Sequence, residues 1–209
     1  MSSRRYLVPV VIVILGLAGL RPAAADSADD AAKFIDDFGQ RAIAALTAPN
    51  LSDQELTARF KSLFEEGFDI AAIARSALGV FWKRATEDER AQYIPLFEDY
   101  IVEIYASQFR QYSGENFKAK SAHTEPDGSV TVISEVVQPD GPVTPLQWTV
   151  VHADGGKYKT RDIKIEGVSM INTYRDQFSN EILQHDGKIA GLLEALREKT
   201  ASLKAPHNG

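Results

Sequence analysis

The spacing of apolar residues changes twice along this chain, and this change constrains the fold more than any single motif. Up to about Tyr112, apolar residues recur at the 3.6-residue spacing of amphipathic helices. From Phe117 to Ile165 the period falls to two, as in β-strands, and helical spacing returns from Ser169 onward. Helices, then strands, then helices predict an α+β domain rather than an alternating α/β fold.

Polar residues at fixed offsets mark the helix starts in the first half. Ser52 with Glu55, and Thr86 with Glu89, have the S/T-x-x-E spacing of a capping box, and Asp69 is a suitable N-cap. The segment that Thr86 opens carries a broad apolar face, which predicts a long core helix. Its members are Tyr93, Leu96, Phe97, Tyr100, Ile101, Ile104, Tyr105 and Phe109.

Four short runs of β-branched and aromatic residues follow, separated by Asp-Gly and Gly-Gly steps that are typical of hairpins. We predict a twisted antiparallel sheet of about four strands in meander order, packed with several helices. In the second run, apolar residues occupy both faces, with Val130, Val132 and Val136 on one and Ile133 and Val137 on the other. Either helices cover both faces of the sheet, or a cavity lies between the sheet and the helices.

The last strand passes into a helix within IKIEGVSMINTYRDQF, residues 163–178. Gly167 allows a sharp bend there, and Ser169 suits an N-cap better than a nucleophile, because no G-x-S-x-G elbow surrounds it. Val168, Ile171 and Tyr174 fall on one helical face with Phe178 and Ile182, so this face is expected to turn toward the sheet.

The amino-terminal residues have the order of a secretory signal peptide. Arg4 and Arg5 precede an apolar run of 14 residues, Leu7 to Leu20, and an A-x-A cleavage site ends at Ala25. A membrane span needs about 20 apolar residues, although an uncleaved anchor is the alternative. The paired arginines leave both the Sec and the twin-arginine routes open. We predict a signal peptide over residues 1–25, a single domain over 26–209, and a periplasmic location.

Composition excludes several function classes. Removal of residues 1–25 takes away three arginines and changes the formal net charge from −6 to −9, which disfavours nucleic-acid binding. The chain has no cysteine, and its four histidines share no metal-ligand spacing. Neither a metal nor another cofactor is predicted. Glu98, Asp99 and Glu103 can be read as acid/base residues of a hydrolase, but a solvated helix face is the preferred interpretation.

Two blocks of the sequence resemble the MlaC family of periplasmic phospholipid-binding proteins, also known as toluene-tolerance proteins. The first block runs from Phe68 to Phe109, and the elements that carry the resemblance are Phe68-Asp69, Ile73-Ala74-Arg75, Leu78-Gly79, Trp82, Thr86, Phe97, Tyr100 and Tyr105. The second contains E-G-V-S-x-x-x-x-Y-R-x-x-F, from Glu166 to Phe178. The resemblance covers most of the chain after the predicted signal peptide.

The resemblance implies a lipid carrier without catalytic activity. Its expected partners are a phospholipid, an inner-membrane ABC transporter complex with its substrate-binding subunit, and an outer-membrane lipoprotein complex. A hopanoid-associated branch, HpnM, makes a different lipid possible, and a periplasmic hydrolase or an adaptor with a solid core are the other hypotheses.

The acyl chains are expected in a pocket between the sheet and the helices. The predicted lining consists of Leu78, Phe97, Ile101, Ile104, Tyr105, Val132, Val136, Trp148, Val150, Ile163, Ile165, Val168, Ile171, Tyr174, Phe178 and Ile182. Five cations near the last strand can be read as a headgroup or partner site, or as the solvated face of the sheet, which is preferred. They are Lys157, Lys159, Arg161, Lys164 and Arg175.

Overall fold

The structure, a computed structural model, describes residues 23–111, 114–139, 141–153 and 155–205. Most of the predicted signal peptide therefore lies outside the described residues, and the first helix begins at Ala23, before the predicted cleavage site. The helices of the described chain are α1 (Ala23–Leu46), α2 (Asp53–Gly67), α3 (Ile70–Leu78), α4 (Glu87–Ala106), α5 (Met170–Gln184) and α6 (Ile189–Lys204). Short 3-10 segments follow α3 (Gly79–Lys83) and α4 (Ser107–Gln111).

The starts of α2, α3 and α4 are the predicted ones. Ser52 and Glu55 form a reciprocal capping box at α2, and Thr86 and Glu89 form another at α4. The Asp69 side chain accepts a hydrogen bond from the Ala72 amide at the start of α3. These side chains satisfy amide groups that would otherwise lack a partner in the first turn of each helix.

The sheet is an antiparallel meander in the order β1-β2-β3-β4-β5, which confirms the α+β fold class. Its strands are β1 (Asn116–Thr124), β2 (Val130–Val137), β3 (Val143–His152), β4 (Tyr158–Ile165) and β5 (Val168–Ser169). The prediction missed β5, which pairs with Lys164 and Ile165. A two-residue strand is too short to show a period of two. It forms because Glu166 and Gly167 both have positive φ, 51° and 84°, as a two-residue hairpin turn requires.

One face of the sheet packs against α1. Val132 and Val150 on the sheet contact a cluster that includes Ala31 and Ile35 of α1, and all four side chains are buried. On the opposite face Ile133 is half-buried and Val137 is exposed. The exposure of Val137 contradicts the alternative in which helices cover both faces, and Val136 lines the cavity described below, so this cavity lies on the α1 side of the sheet.

A second cluster holds the helices together. Its buried side chains come from α2, α3, α4, α5 and α6, and Phe97 of α4 packs edge-on against Tyr174 and Phe178 of α5. Phe68, between α2 and α3, packs against both clusters, and its neighbour Asp69 donates its amide hydrogen to the Thr160 carbonyl of β4 at 3.0 Å. The helical layer is thus fastened to the sheet at this edge.

Gly39, inside α1, provides a test of this packing. A Cβ at this position would lie 2.3 Å from the ring of Phe117, which is buried in the sheet. Helix propensity alone favours alanine by about 1 kcal/mol, whereas overpacking of a core costs about 1–3 kcal/mol. We expect Gly39→Ala to lower the free energy of unfolding, measured in urea.

The matched variant is Ala44→Gly, at an exposed position of the same helix. Propensity should cost this variant about 0.5–1 kcal/mol. Stabilisation by Gly39→Ala would show that Phe117 can move aside without loss, and would contradict the close packing of α1 on β1.

Candidate functional site

A cavity of about 690 Å³ lies between the sheet and helices α1, α2, α4 and α5. This volume falls within the range of about 300–1,000 Å³ that is usual for ligand sites. Its wall is mostly aliphatic and aromatic. The residues that line it are Phe38, Gly39, Ala42, Ile43, Leu46, Phe60, Leu63, Phe64, Phe68, Ile73, Phe97, Ile101, Tyr105, Gln108, Phe109, Glu115, Phe117, Val136, Gln138, Leu146, Trp148, Arg161, Asp162, Ile163, Ile165, Met170, Ile171 and Tyr174.

Many of these apolar side chains are incompletely buried although they point toward the interior. Ile43, Phe60, Leu146, Ile163 and Ile165 are all half-buried, because each has the cavity on one side instead of a neighbouring side chain. Apolar surface that faces open space gains the full hydrophobic contribution only when another apolar group covers it. The site is therefore suited to a long or bulky apolar ligand.

Aromatic rings brace the cavity wall. Trp148 of β3 packs edge-on against Phe117 with ring centroids 6.0 Å apart, and its indole Nε1–H donates to Ser134 Oγ at 2.8 Å. Phe68 lies 4.9 Å from Phe64 and 6.4 Å from Trp148, centroid to centroid. All four rings belong to residues that line the cavity, and the indole hydrogen bond of Trp148 is satisfied within the sheet.

The structure brings nine of the residues predicted for the pocket together around this cavity. They are Phe97, Ile101 and Tyr105 of α4, Val136, Trp148, Ile163 and Ile165 of the sheet, and Ile171 and Tyr174 of α5. The α4 members are spaced four residues apart and form one stripe. Ile104, which was also predicted, does not line the cavity although it lies close to this stripe in the helix.

The other six predicted residues also lie outside the lining, for three different reasons. Val132 and Val150 are covered by α1. Leu78, Phe178 and Ile182 are buried in the cluster between helices. Val168 was expected to turn inward, but the β4–β5 turn directs it outward and leaves it 57% exposed.

Helices α1 and α2 supply a part of the wall that the predicted lining did not include. Phe38, Ala42 and Ile43 come from α1, and Phe60 and Leu63 come from α2. Their helical periodicity was visible in the sequence, but a residue that faces a cavity and one that faces a filled core give the same pattern. The mid-helix Gly39 was the available signal, since it marks a close approach of α1 to the sheet.

The corner between β4 and α5 is held by a carboxylate. Asp162 accepts hydrogen bonds from Ser169 Oγ at 2.6 Å and from the Ile171 amide at 3.2 Å, while Ser169 Oγ accepts from the Asn172 amide at 3.2 Å. This confirms Ser169 as an N-cap. The chain's E-G-V-S segment thus positions Met170, Ile171 and Tyr174 against the cavity.

The basic residues near β4 serve mainly to join elements. Lys159 Nζ donates to the Glu65 and Glu66 carbonyls at the end of α2, both at 2.7 Å. Arg161 Nε pairs with Asp69 at 3.0 Å, and Arg175 Nε donates to the Ser76 carbonyl at 3.0 Å. Of the five cations, only Arg161 lines the cavity.

Three acidic residues of α4, Glu98, Asp99 and Glu103, lie beside cations of neighbouring helices. Lys61 Nζ of α2 lies 3.2 Å from Asp99 Oδ1 and 3.3 Å from Glu98 Oε1, although only the contact with Asp99 has hydrogen-bond geometry. Lys204 lies 3.7 Å from Glu103. Burial raises the pKa of the Glu98 carboxyl, Lys61 opposes this shift, and Glu65 adds to it. None of these groups lines the cavity.

Glu98 therefore makes a pH-dependent contribution to stability. Because its pKa is higher in the folded than in the unfolded chain, this contribution is largest below the ordinary value of 4.5 and is lost as the pH rises through the raised pKa. We expect Glu98→Gln to increase the free energy of unfolding at pH 7 by less than about 1 kcal/mol, with little change at pH 4. Urea unfolding at both pH values measures this difference in stability. A lower free energy of unfolding for Glu98→Gln at pH 7 would contradict the prediction.

Two tyrosine hydroxyls and a thioether form a polar chain within the apolar wall. Tyr174 Oη donates to Tyr105 Oη at 3.1 Å, and Tyr105 Oη donates to Met170 Sδ at 3.2 Å. All three residues line the cavity. Burial raises the pKa of Tyr174 far above its ordinary value, and the neighbouring Tyr105 adds to this effect, so the hydroxyl stays protonated.

Among the helices of the described residues, none combines the length and the apolar character that a membrane span requires.

Comparison with known proteins identifies the family. The family model for the MlaC protein matches residues 36–198. The toluene tolerance protein ttg2D of Pseudomonas putida is 21% identical over 137 residues, which span 65% of this chain and 63% of that protein. The structure of a phospholipid-binding protein from Ralstonia solanacearum, in complex with a phospholipid, has a TM-score of 0.75 and 24% identity. The alignment covers 84% of this chain and 99% of that one. The family model alone spans well over half of the chain, and this protein belongs to the MlaC family.

Proposed function

We propose that this protein is a periplasmic lipid carrier that holds the acyl chains of a phospholipid in its cavity and acts by binding, without catalysis. The observation that carries the proposal is the apolar cavity of about 690 Å³ between sheet and helices. Family membership supports it, as does the similar fold of a protein that was solved in complex with a phospholipid.

The physical basis is the cost of exposing acyl chains to water. Burial of a chain contributes about 0.8 kcal/mol per CH₂ group, so a free phospholipid does not cross an aqueous compartment at a useful rate. The half-buried side chains of the cavity wall, such as Ile163 and Phe60, would exchange open space for contact with the chains. Ordering of the lipid and the protein offsets part of this gain.

The physiological role that we propose is transfer between the outer and inner membranes, which maintains the lipid asymmetry of the outer membrane. The expected partners are an outer-membrane lipoprotein complex and an inner-membrane ABC transporter complex with its substrate-binding subunit. Residues 1–25 would direct export as a cleaved signal peptide. These statements extend the family assignment and the order of charged and apolar residues at the amino terminus.

The deciding experiment is recovery of the native ligand. The full chain is exported to the periplasm of a Gram-negative host, purified without detergent and extracted with organic solvent, and the extract is analysed by mass spectrometry. We expect about one phospholipid per protein. A hopanoid in the extract of a hopanoid-producing host would redirect the proposal to the other branch of the family. Protein free of any lipid, together with no uptake from liposomes, would overturn the carrier function.

A further inference from the structure

The hydroxyl chain of Tyr174, Tyr105 and Met170 ends on a poor acceptor. Tyr105 receives the Tyr174 hydrogen bond and passes its own hydrogen to the Met170 thioether, which is only a weak hydrogen-bond acceptor. A donor that is polarised by a preceding hydrogen bond forms stronger bonds itself. The Tyr105 hydroxyl is therefore a good hydrogen-bond donor whose acceptor in this apolar wall, the Met170 thioether, is weak.

Two other polar groups of the cavity wall are already engaged. The Asp162 carboxylate accepts from Ser169 and Ile171, and the Arg161 guanidinium pairs with Asp69. These contacts hold α5 and α3 against β4. A ligand that bound Asp162 or Arg161 in place of these partners would weaken the attachment of both helices to the sheet. In contrast, displacement of the Met170 thioether costs only one weak hydrogen bond.

The position of Tyr105 matches a particular part of a lipid. Along the stripe of α4 that lines the cavity, Phe97 and Ile101 are buried and Tyr105 is half-buried, and Gln108, in the 3-10 segment that follows α4, is exposed. Tyr105 thus lies where the wall passes from buried to exposed. In a diacyl lipid the corresponding boundary, between the polar headgroup and the chains, carries the ester carbonyls, whose oxygens are strong hydrogen-bond acceptors.

We propose that the Tyr105 hydroxyl donates a hydrogen bond to an ester carbonyl of the bound lipid in place of Met170 Sδ, so that the cavity selects lipids with ester-linked chains. This inference rests on the proposed carrier function and specifies its substrate class. Hydrocarbon skeletons that carry no ester, such as those of hopanoids, would fill the cavity without this bond.

The test compares two lipids that differ only in the carbonyls. Affinities of the delipidated protein are measured for dioleoyl phosphatidylethanolamine and for its dioleyl diether analogue. One hydrogen bond corresponds to about a threefold to tenfold difference in affinity. We expect the wild type to prefer the diester by this factor, and Tyr105→Phe to lose the preference by weakening diester binding alone.

Tyr100→Phe is the matched control. Tyr100 lies on the same helix and packs against Tyr174 and Phe178, but it does not line the cavity. We expect this variant to keep the diester preference. If Tyr105→Phe instead damaged the cavity in general, the affinities for both lipids would fall equally, and that result would overturn the inference.

An infrared measurement on the wild-type protein tests the same contact without any variant, so it does not depend on whether a variant folds. With ¹³C-labelled carbonyls, the diester bound to the wild-type protein should show a carbonyl stretch at lower frequency than in an apolar solvent. Equal affinity for the two lipids, or a carbonyl stretch without this shift, would overturn the ester contact and leave the carrier function intact. A chain that binds neither lipid overturns the carrier function and the ester contact together.

Discussion

Replacement of Ile163 with glutamate is expected to abolish lipid loading. Ile163 lies on β4, is half-buried and faces the cavity. Acyl chains that cover an unpaired carboxylate would remove it from water without any compensating hydrogen bond, at a cost of several kcal/mol. We expect at least a 100-fold loss of affinity, measured as uptake of a fluorescent phospholipid from liposomes and as lipid recovered after purification.

The matched control is Val143→Glu, the same kind of change on β3. Val143 is 50% exposed and does not line the cavity, so loading should equal that of the wild type. Circular dichroism on the empty proteins shows whether each variant is folded. Normal loading of a folded Ile163→Glu variant would mean that the ligand does not occupy this cavity, and the proposed function would lose the observation that carries it.

Phe178→Ala is expected to produce the largest loss of stability. Phe178 is 4% exposed, and its ring packs against those of Tyr93, Phe97, Tyr100 and Tyr174. Truncation of a phenylalanine in a filled core removes these contacts and leaves a void, at a cost of about 3–5 kcal/mol. Urea unfolding measures the change, and the fraction that remains folded should still load lipid.

Phe60→Ala provides the comparison. Phe60 is half-buried and lines the existing cavity, so its truncation enlarges a space that is already present. We expect a cost of only about 1–2 kcal/mol and a measurable decrease in lipid affinity. Equal costs for the two variants would contradict the division of the interior into a filled helical cluster and an open cavity.

Local signals predicted the elements of this fold well. The capping boxes at Ser52 and Thr86 and the N-caps at Asp69 and Ser169 place four helix starts, because a cap depends on residues within one turn. The change of period at Phe117 located the sheet. The two-residue strand β5 escaped notice, since its formation depends on positive φ at Glu166 and Gly167 rather than on a repeated pattern.

The candidate site was predicted only in part, and the reason is physical. Periodicity identifies which side chains point inward, as it did for Ile101, Ile163 and Phe178. It does not show whether an inward side chain packs against other side chains or faces a cavity. Phe178 packs against other rings, whereas Ile163 faces the cavity. The distinction arises from the distance between layers, which long-range contacts such as Phe68 against Trp148 determine.

The sequence by itself determined the α+β class, the helix starts, the meander and the apolar faces, because each depends on neighbours within a few residues. Only the tertiary structure decided where those faces leave a cavity, because a void depends on how far apart the layers are held. It also assembled the hydroxyl chain of Tyr105, Met170 and Tyr174, whose members lie up to 69 residues apart in the chain. Local sequence patterns do not predict contacts between residues so far apart in the chain.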